Sequence, residues 1–335
     1  MIALLWIVSV LTMELLNILK DSEFVSGQAI AGSLGVTRSA VHKQIMSLRR
    51  QGYSVIAQKN RGYMLKSRPD CAAPEEIRRY LPRGHRWGAA IHYFPSTPST
   101  QLIAKDLAIA GGVDGTLVLA ESQSAGYGRL QRVWSSPAGG LWFSLLLRPS
   151  IRPDAVPQLT LVCSLILSQT IERICGISSL IKWPNDLVVP DGSSTLAGKL
   201  AGIITEMSAE VDRVAWVVVG IGINVNNALP DAAAPHAVSL SSLTKTPVER
   251  ARLLASFLCD FEIGYRRFCR EGFAPFAQDY NQRSFLRDKT IDIEMFGEIV
   301  HGRVESVDDG GFLLFQKNGG TIEKIVAGTV TRVYD

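Results

Sequence analysis

The segment 123–134 combines glycine, arginine and aromatic residues in the way expected of a loop that binds an anion. It follows the apolar run 116–120 and includes Gly126, Gly128 and Arg129. Glycine lets the backbone approach a ligand closely and adopt a positive φ at no steric cost, so backbone N–H groups and the Arg129 guanidinium can converge on phosphate or carboxylate oxygens. A plain surface turn has a similar composition, and this segment alone does not distinguish the two.

Three further motifs narrow the interpretation. Ser-Thr-Gln at 99–101 opens a helix-like segment, Lys-Trp-Pro-Asn-Asp at 182–186 follows a short apolar strand, and Lys-Leu-Ala-Gly at 199–202 opens the next strand. In this order the motifs resemble the catalytic domain of the biotin protein ligases. From about Met13 onward the chain is most similar to the bifunctional bacterial members, which also repress biotin synthesis.

The resemblance implies an enzyme, a biotin–protein ligase that uses ATP, biotin and Mg²⁺. Such an enzyme makes biotinyl-5′-AMP and passes the biotinyl group to a lysine of a biotin carboxyl carrier protein. It also implies a cytoplasmic, biotin-responsive repressor that binds operator DNA as a ligand-promoted homodimer, with no membrane partner. Two alternatives stay open: a biotin-sensing transcription factor with weak or lost ligase activity, or a ligase for lipoate or a related acid.

Cations are required at such a site because a carboxylate must approach the α-phosphate against charge repulsion. By resemblance, Lys199 contacts the biotin carboxyl group and the phosphate, and Arg129 neutralises phosphate; these are the candidate catalytic residues. An ordinary surface role is the alternative for either cation. The candidate ATP-binding residues are Arg129, Arg132, Lys182, Asn185, Asp186 and Asn224, with Asp186 also expected to help position Mg²⁺.

The fused rings of biotin need an apolar slot with a few fixed hydrogen-bond partners. Ser99 could equally serve as a helix N-cap. The candidate biotin-binding residues are Ser99, Thr100, Gln101, Gln123, Tyr127, Gly128, Arg129, Lys199 and Gly202.

The chain departs from the family pattern in the anion-binding loop. Tyr127 stands where the family has an arginine, Gln131 replaces a glycine, and Gln101 replaces an asparagine. The connection 187–198 is also longer than is typical, which leaves the register at Lys199 open. Because a neutral phenol cannot supply the charge of an arginine, we expect faster release of the adenylate unless Arg132 or the Tyr127 ring compensates.

The N-terminal segment has the pattern of a winged helix-turn-helix. Ser26 is a plausible N-cap, Gly35 makes the turn, and Thr37 caps a helix that runs to Arg50, after which 53–65 forms two strands. Through Arg68 the chain has nine basic and three acidic residues, a net charge of +6 against +4 for the whole chain. A solvated charged face is the alternative to DNA binding. The candidate DNA-binding residues, near the start of the last helix, are Thr37, Arg38, Ser39, His42 and Lys43.

The alternation of helices and consecutive strands predicts an α+β fold with a mixed sheet. The predicted parts are a winged helix-turn-helix domain at 13–66, a linker at 67–84, a catalytic domain at 85–285 and a small SH3-like β-barrel at 287–335. Five widely spaced cysteines indicate reduced thiols. The apolar residues 1–12 are too few to span a membrane and lack a basic segment, so we expect an over-extended start or an extra helical turn.

Overall fold

The computed structural model describes residues 12–21, 23–190, 192, 197–229, 236–317 and 320–334. The apolar residues 1–11, on which the expectation for the N-terminus depends, lie outside this set. The chain divides into two compact units, Met1–Arg79 and Tyr80–Asp335. The finer boundaries at 66, 84 and 285 stay predictions.

The N-terminal unit is a helix-turn-helix followed by a two-stranded wing. Its apolar core joins residues of the first three helices and of both strands, among them Leu15, Ile30, Ile45 and Val55. The elements are α1 (residues 12–18), α2 (Gly27–Leu34), α3 (Arg38–Arg50), β1 (Ser54–Gln58), β2 (Gly62–Ser67) and α4 (Pro74–Arg78).

Local sequence determines where these helices begin and end. The Ser26 hydroxyl accepts from the backbone N–H of Ala29, and the Thr37 hydroxyl accepts from that of Ala40, which satisfies a free donor at the start of each helix. Gly35 ends α2 at φ 65°. These caps are the predicted ones. Within the predicted linker, the short helix α4 begins at Pro74 and ends at Arg78.

The second unit is built on a seven-stranded sheet in the order β3-β4-β5-β9-β8-β7-β6, in which β3 and β4 are parallel and all other neighbours antiparallel. The strands are β3 (Ile91–Phe94), β4 (Thr116–Ala120), β5 (Leu141–Leu147), β6 (Leu180–Lys182), β7 (Asp186–Pro190), β8 (Ala197–Ala209) and β9 (Val214–Ile223). The helices are α5 (Thr100–Ile109), α6 (Val156–Cys175), α7 (Leu240–Thr244), α8 (Arg250–Glu271) and α9 (Ala274–Gln282).

Helices α5 and α6 lie on opposite faces of this sheet. Successive side chains of a strand point to opposite faces. In β8 the Thr205 hydroxyl hydrogen-bonds Thr160 of α6, whereas the next side chain, Glu206, pairs with Lys105 of α5. Both faces are thus covered, which explains why β4 and β5 are buried along their whole length and largely apolar.

A second sheet of five antiparallel strands follows, in the order β13-β12-β11-β10-β14. The predicted α+β class, with a helix-turn-helix, a mixed sheet and a small C-terminal β-structure, is confirmed. The strands are β10 (Thr290–Met295), β11 (Glu298–Val307), β12 (Leu313–Lys317), β13 (Ile322–Ile325) and β14 (Thr329–Val333).

One helical stretch, Pro153–Cys175, is long and apolar enough to cross a membrane by length and composition, but 72% of its most apolar window is buried inside the protein. It packs against α8 and β8, so it belongs to the core.

Candidate functional site

A cavity of about 430 Å³ opens over the face of the large sheet that carries α5. Its walls come from the start of α5, the loop after β4, the β6–β7 turn and strands β8 and β9. Every sequence-predicted ligand residue lines it: Ser99, Thr100, Gln101, Gln123, Tyr127, Gly128, Arg129, Arg132, Lys182, Asn185, Asp186, Lys199, Gly202 and Asn224.

Glycines in the central strands form the floor of the cavity. Gly202 of β8 pairs with Gly222 of β9, and the indole of Trp134 lies on both. A Cβ at Gly222 would lie 2.5 Å from Trp134 Nε1, and one at Gly220 would lie 2.4 Å from the Gln101 side-chain oxygen. Side chains at these positions would therefore displace the residues that shape the cavity.

One end of the cavity is a closed network of neutral polar groups. The Gln123 side-chain oxygen accepts from the Thr100 backbone N–H at 2.8 Å, the Thr100 and Ser144 hydroxyls are 2.9 Å apart, and Ser144 donates to Gln101 at 3.0 Å. Ser99 stands at the N-cap of α5 and is buried, yet its side chain makes no capping hydrogen bond. The capping role considered for Ser99 is absent here, and its hydroxyl faces the cavity.

The other end is cationic. Lys199 Nζ lies 2.8 Å from an Asp186 carboxylate oxygen and 5.1 Å from the centre of the Trp134 ring. Arg129 donates to the Asn185 side-chain oxygen at 3.2 Å and to the Gly328 carbonyl at 3.1 Å. Among the described residues, four cations and one carboxylate line the cavity: Arg129, Arg132, Lys182, Lys199 and Asp186. This excess of positive charge suits a polyanionic ligand.

Burial affects two of these cations. Desolvation lowers the pKa of Lys182; the Asp186 carboxylate opposes this shift and Lys199 adds to it. Desolvation also lowers the pKa of Arg129, with Asp186 opposing it and Arg132 adding to it. An anion that entered this end would relieve the repulsion among the cations.

Asp186 is the residue that could help to hold Mg²⁺. Its second carboxylate oxygen is buried without a hydrogen-bond partner, a position that a cation or a water on a cation would satisfy. Among the described residues, no group of three or more His, Cys, Asp or Glu could hold a metal by itself. The donors present therefore fit an Mg²⁺ that is bound chiefly by phosphate oxygens, as is common for nucleotide sites.

The arginine-containing part of the loop, 126–134, is a hairpin. The Gly128 N–H donates to the Arg132 carbonyl at 2.8 Å, and the Trp134 N–H donates to the Gly126 carbonyl at 2.9 Å. At its tip, Leu130 has φ 55° and Gln131 has φ 57°.

The glycines of this loop differ from the sequence expectation. Neither has a positive φ; the left-handed positions fall instead on Leu130 and Gln131. Gly126 is needed for close approach, because a Cβ there would lie 2.7 Å from the Ser136 hydroxyl and the Trp134 carbonyl. Gly128 has open space, with its nearest neighbour at 3.8 Å. Glycine at 131, which the family has, would adopt that conformation without strain.

The structure shows where Lys199 lies in the sheet, although its match to the family lysine stays a prediction. Lys199 lies within β8 opposite Val188, next to a bulge at Leu200 of β8, because the adjacent residues Leu187 and Val188 pair with Ala201 and Lys199. Asn224 supports this segment: its amide reaches the Lys199 carbonyl at 3.5 Å, and its N–H donates to the Leu200 carbonyl at 2.9 Å. Asn224 thus positions the backbone that carries Lys199.

Sequence reasoning missed Trp134 and Ser144 as cavity residues. Trp134 belongs to the same segment as Arg129, and its indole N–H is buried without a partner above the glycine floor. Ser144 is the single polar residue in the apolar strand β5, and a lone hydroxyl in a buried strand is the signal that could have identified it.

The five predicted DNA-binding residues lie together at the start of α3 and all are exposed. The His42 ring lies 3.4 Å from the Tyr63 hydroxyl of the wing. The Arg49 guanidinium donates to the Val55 carbonyl at 2.7 Å, which fixes the end of α3 against the wing. Gly62 is essential here, because a Cβ would collide with the Val25 carbonyl at 2.0 Å.

The chain combines a helix-turn-helix unit with a unit that has a cationic cavity, which indicates a protein with a DNA-binding part and a ligand-binding part. Comparison with known proteins identifies its family. Residues 93–224 match the model of the Biotin/lipoate A/B protein ligase family, and residues 12–64 match an HTH domain. The bifunctional ligase/repressor BirA of Bacillus subtilis is 39% identical over 313 residues, covering 92% of this chain and 94% of that protein. The bifunctional ligase/repressor BirA of Escherichia coli is 27% identical over 312 residues, with 92% of each chain covered.

Among solved structures, the biotin protein ligase from Aquifex aeolicus in complex with biotin and ATP is similar with a TM-score of 0.63 and 26% identity. The match covers 73% of this chain and 99% of that one. The chain belongs to the biotin/lipoate A/B protein ligase family, in its bifunctional ligase/repressor group.

Proposed function

We propose that the second unit joins biotin to AMP and then to a lysine of a biotin carboxyl carrier protein. The observation that carries this assignment is a single cavity with a neutral polar end and a cationic end, of the kind that a ring-bearing carboxylic acid and a nucleotide need side by side. The relatives named above and the ATP and biotin of the Aquifex complex support it.

In the first step a carboxylate oxygen of biotin attacks the α-phosphorus of ATP, the bond to the bridging oxygen breaks, and pyrophosphate leaves. Lys199 stabilises the charge that builds up between carboxylate and phosphate, and Arg129 neutralises phosphate oxygens. Lys182, Arg132 and Asn185 bind the nucleotide. Mg²⁺, held by phosphate oxygens and Asp186, would neutralise further charge on the leaving pyrophosphate.

In the second step the neutral ε-amine of the carrier lysine attacks the acyl carbon of biotinyl-5′-AMP. AMP leaves with the bonding electrons, the amine loses a proton, and an amide forms. The polar end of the cavity, with Ser99, Thr100, Gln101 and Gln123, holds the biotin rings through both steps. The walls exclude water that would otherwise hydrolyse the adenylate.

The decisive experiment is labelling of a purified carrier domain by the full-length protein with ATP and either biotin or lipoate. We expect a mass increase of the carrier lysine with biotin and none with lipoate. Labelling with lipoate would reassign the acid, and no labelling by folded protein with either acid would contradict the ligase assignment and favour a sensor without ligase activity.

The N-terminal unit is the repressor part of the proposal. Arg38, His42 and Lys43 would meet the DNA major groove, with Thr37 and Ser39 at the helix start. The adenylate-loaded protein would bind operator DNA as a homodimer. We assign it to the cytoplasm, where both carrier and operator are accessible, with no membrane partner.

A double variant tests this surface. Joint replacement of Arg38 and Lys43 by Ala should abolish operator binding. Ligation should stay at the parent rate, because both side chains are exposed on the N-terminal unit and the cavity lies in the second unit. If both side chains contact phosphates, the non-specific binding that remains should depend less on salt, with a slope of log affinity against log salt that is smaller in magnitude by about 2, since each lost contact leaves a counterion on the DNA. Fluorescence anisotropy with operator DNA measures both quantities, and unchanged affinity would place the DNA contacts elsewhere.

A further inference from the structure

The hairpin 126–134 is attached to the rest of the second unit unevenly. Its tip is exposed, with Leu130 at 71% and Val133 at 90%. In the described part of the chain, two of its side chains hydrogen-bond outside the hairpin. Arg129 bonds Asn185 and the Gly328 carbonyl, and Tyr127 bonds a charged pair formed by Glu206 and Lys105.

The Tyr127 contact joins three separate elements. Its phenol donates to a Glu206 carboxylate oxygen of β8 at 3.1 Å, and Lys105 Nζ of α5 lies 3.0 Å from the other oxygen and 3.5 Å from the phenol oxygen. Burial and the neighbouring carboxylate raise the pKa of Tyr127, so the phenol stays protonated and remains a donor.

Glu206 is ionised at neutral pH. Burial raises the pKa of this carboxyl group, but hydrogen bonds from Lys105, Gln101 and Tyr127 outweigh burial and leave the pKa below its ordinary value. The bond from the phenol is therefore a charge-assisted one, roughly twice as strong as a neutral bond. Lys105 balances the charge, so the cluster adds no net charge beside the cavity.

The hydrogen bonds of Arg129 and those of Tyr127 respond differently when a ligand binds. If Arg129 binds phosphate, as the proposed function requires, its guanidinium can exchange its bonds to Asn185 and Gly328 for bonds to phosphate oxygens. Glu206 and Lys105 do not line the cavity. The Tyr127 bonds can therefore persist in the free and the loaded states.

We propose that Tyr127, Glu206 and Lys105 form a ligand-independent anchor that holds the hairpin on the sheet, and that Tyr127 is a positioning residue for Arg129, two residues farther along the chain. The second half of this statement rests on the proposed function, whereas the first half does not. The anchor holds the hairpin in place and supplies no charge to the ligand. A phenol at residue 127 can therefore fill this role without the charge of the arginine that other members of the family have.

The first test uses the full-length protein without ligand. Trypsin should cleave after Arg129 and Arg132 faster when the hairpin is released from the sheet, and mass spectrometry separates these two cuts from all others. We expect Tyr127→Phe to speed both cuts about 10-fold, the lower range for losing a hydrogen bond to a charged group. Tyr93→Phe is the matched control, because it removes a phenol bonded to Glu121 at 2.9 Å outside the cavity. This control should leave the two cuts unchanged.

Glu206→Gln provides a second variant that keeps an acceptor oxygen without the charge. It should give an intermediate cleavage rate, between those of the parent and Tyr127→Phe. Equal rates of cleavage at Arg129 and Arg132 in the parent, Tyr127→Phe and Glu206→Gln would overturn the anchor.

The positioning role has its own measurement. In steady-state ligation, Tyr127→Phe should raise KM for biotin and ATP about 10-fold and speed adenylate release, whereas general loss of folded protein would lower kcat at constant KM. Unchanged KM and release would overturn this role. If Tyr127→Phe is cleaved faster but the parent protein does not ligate biotin, the anchor is supported. The proposed function is then rejected, together with the positioning role that depends on it.

Discussion

The two ends of the cavity are built differently. At the polar end, Thr100, Gln101 and Ser144 are buried and satisfy one another. At the cationic end, an Asp186 oxygen and the Trp134 indole nitrogen are buried without partners, and the arginines sit on a hairpin with an exposed tip. The polar end is thus complete before a ligand arrives, whereas the cationic end still lacks bonds that a ligand would supply. Recognition of the acid and activation of its carboxylate are therefore separable by mutation.

The largest effect should come from the cationic end. Lys199→Ala removes the cation that we place between carboxylate and phosphate, and it leaves Asp186 without its 2.8 Å partner. We expect adenylate formation to fall on the order of 10²-fold, the scale of losing one charge-stabilising group. Biotin binding alone should change less, because the polar end is intact.

Pyrophosphate release in single-turnover experiments measures this step, and calorimetry measures biotin affinity. Lys317→Ala is the matched control, since Lys317 also pairs with a carboxylate at 2.8 Å, that of Glu323 in the C-terminal sheet. Turnover by Lys199→Ala equal to that of the control would remove Lys199 from the mechanism. A loss of biotin affinity as large as the loss in rate would show that the two ends are not separable.

The second effect belongs to the polar end. Thr100→Val keeps the shape of the side chain but removes a hydroxyl within 3.2 Å of the Gln123 oxygen and 2.9 Å of the Ser144 hydroxyl. Leaving buried polar groups unpaired costs about 1–3 kcal/mol, so biotin affinity should weaken about 10-fold or more and Tm should fall by a few degrees. The rate of adenylate formation at saturating biotin should stay near that of the parent. A changed rate with unchanged affinity would contradict the division of roles.

The sequence predicted which residues line the cavity, but it did not predict the contacts among them. The residue types and order of the motifs were enough to assign all fourteen candidate ligand positions that the structure brings to one cavity. Type and order do not determine which partner a side chain has before a ligand binds. The pairing of Lys199 with Asp186 depends on the bulge beside Val188, and the Tyr127 contact depends on β8 bringing Glu206 next to Lys105 of α5.

The same limit applies to the fold. In the sequence, the runs 141–147 and 180–182 indicate strands, and β5 and β6 have these bounds. The sequence indicates a strand at 202–206, but β8 extends well beyond it, since its pairing with β7 and β9 continues through residues without an apolar pattern. Caps such as Thr37 were predictable because they are local, whereas strand length depends on distant partners.

The smallest effect is a pH dependence that arises at the cationic end. Because burial lowers the pKa of Lys182, its ammonium loses its proton at a lower pH than an exposed lysine would. If that ammonium binds the nucleotide, ATP binding is strongest below this lowered pKa and weakens as pH rises through it, by about 10-fold or less for one charge-assisted contact. The described residues that form the polar end, Ser99, Thr100, Gln101, Gln123 and Ser144, have neutral side chains, so biotin affinity should change less than ATP affinity over the same range. Affinities for ATP and for biotin measured from about pH 7 to about pH 10 test this contrast.

In Lys182→Arg, the fall in ATP affinity should move to higher pH, because guanidinium keeps its proton there. A fall at the same pH in the parent and in Lys182→Arg would assign it to another group and take Lys182 out of nucleotide binding.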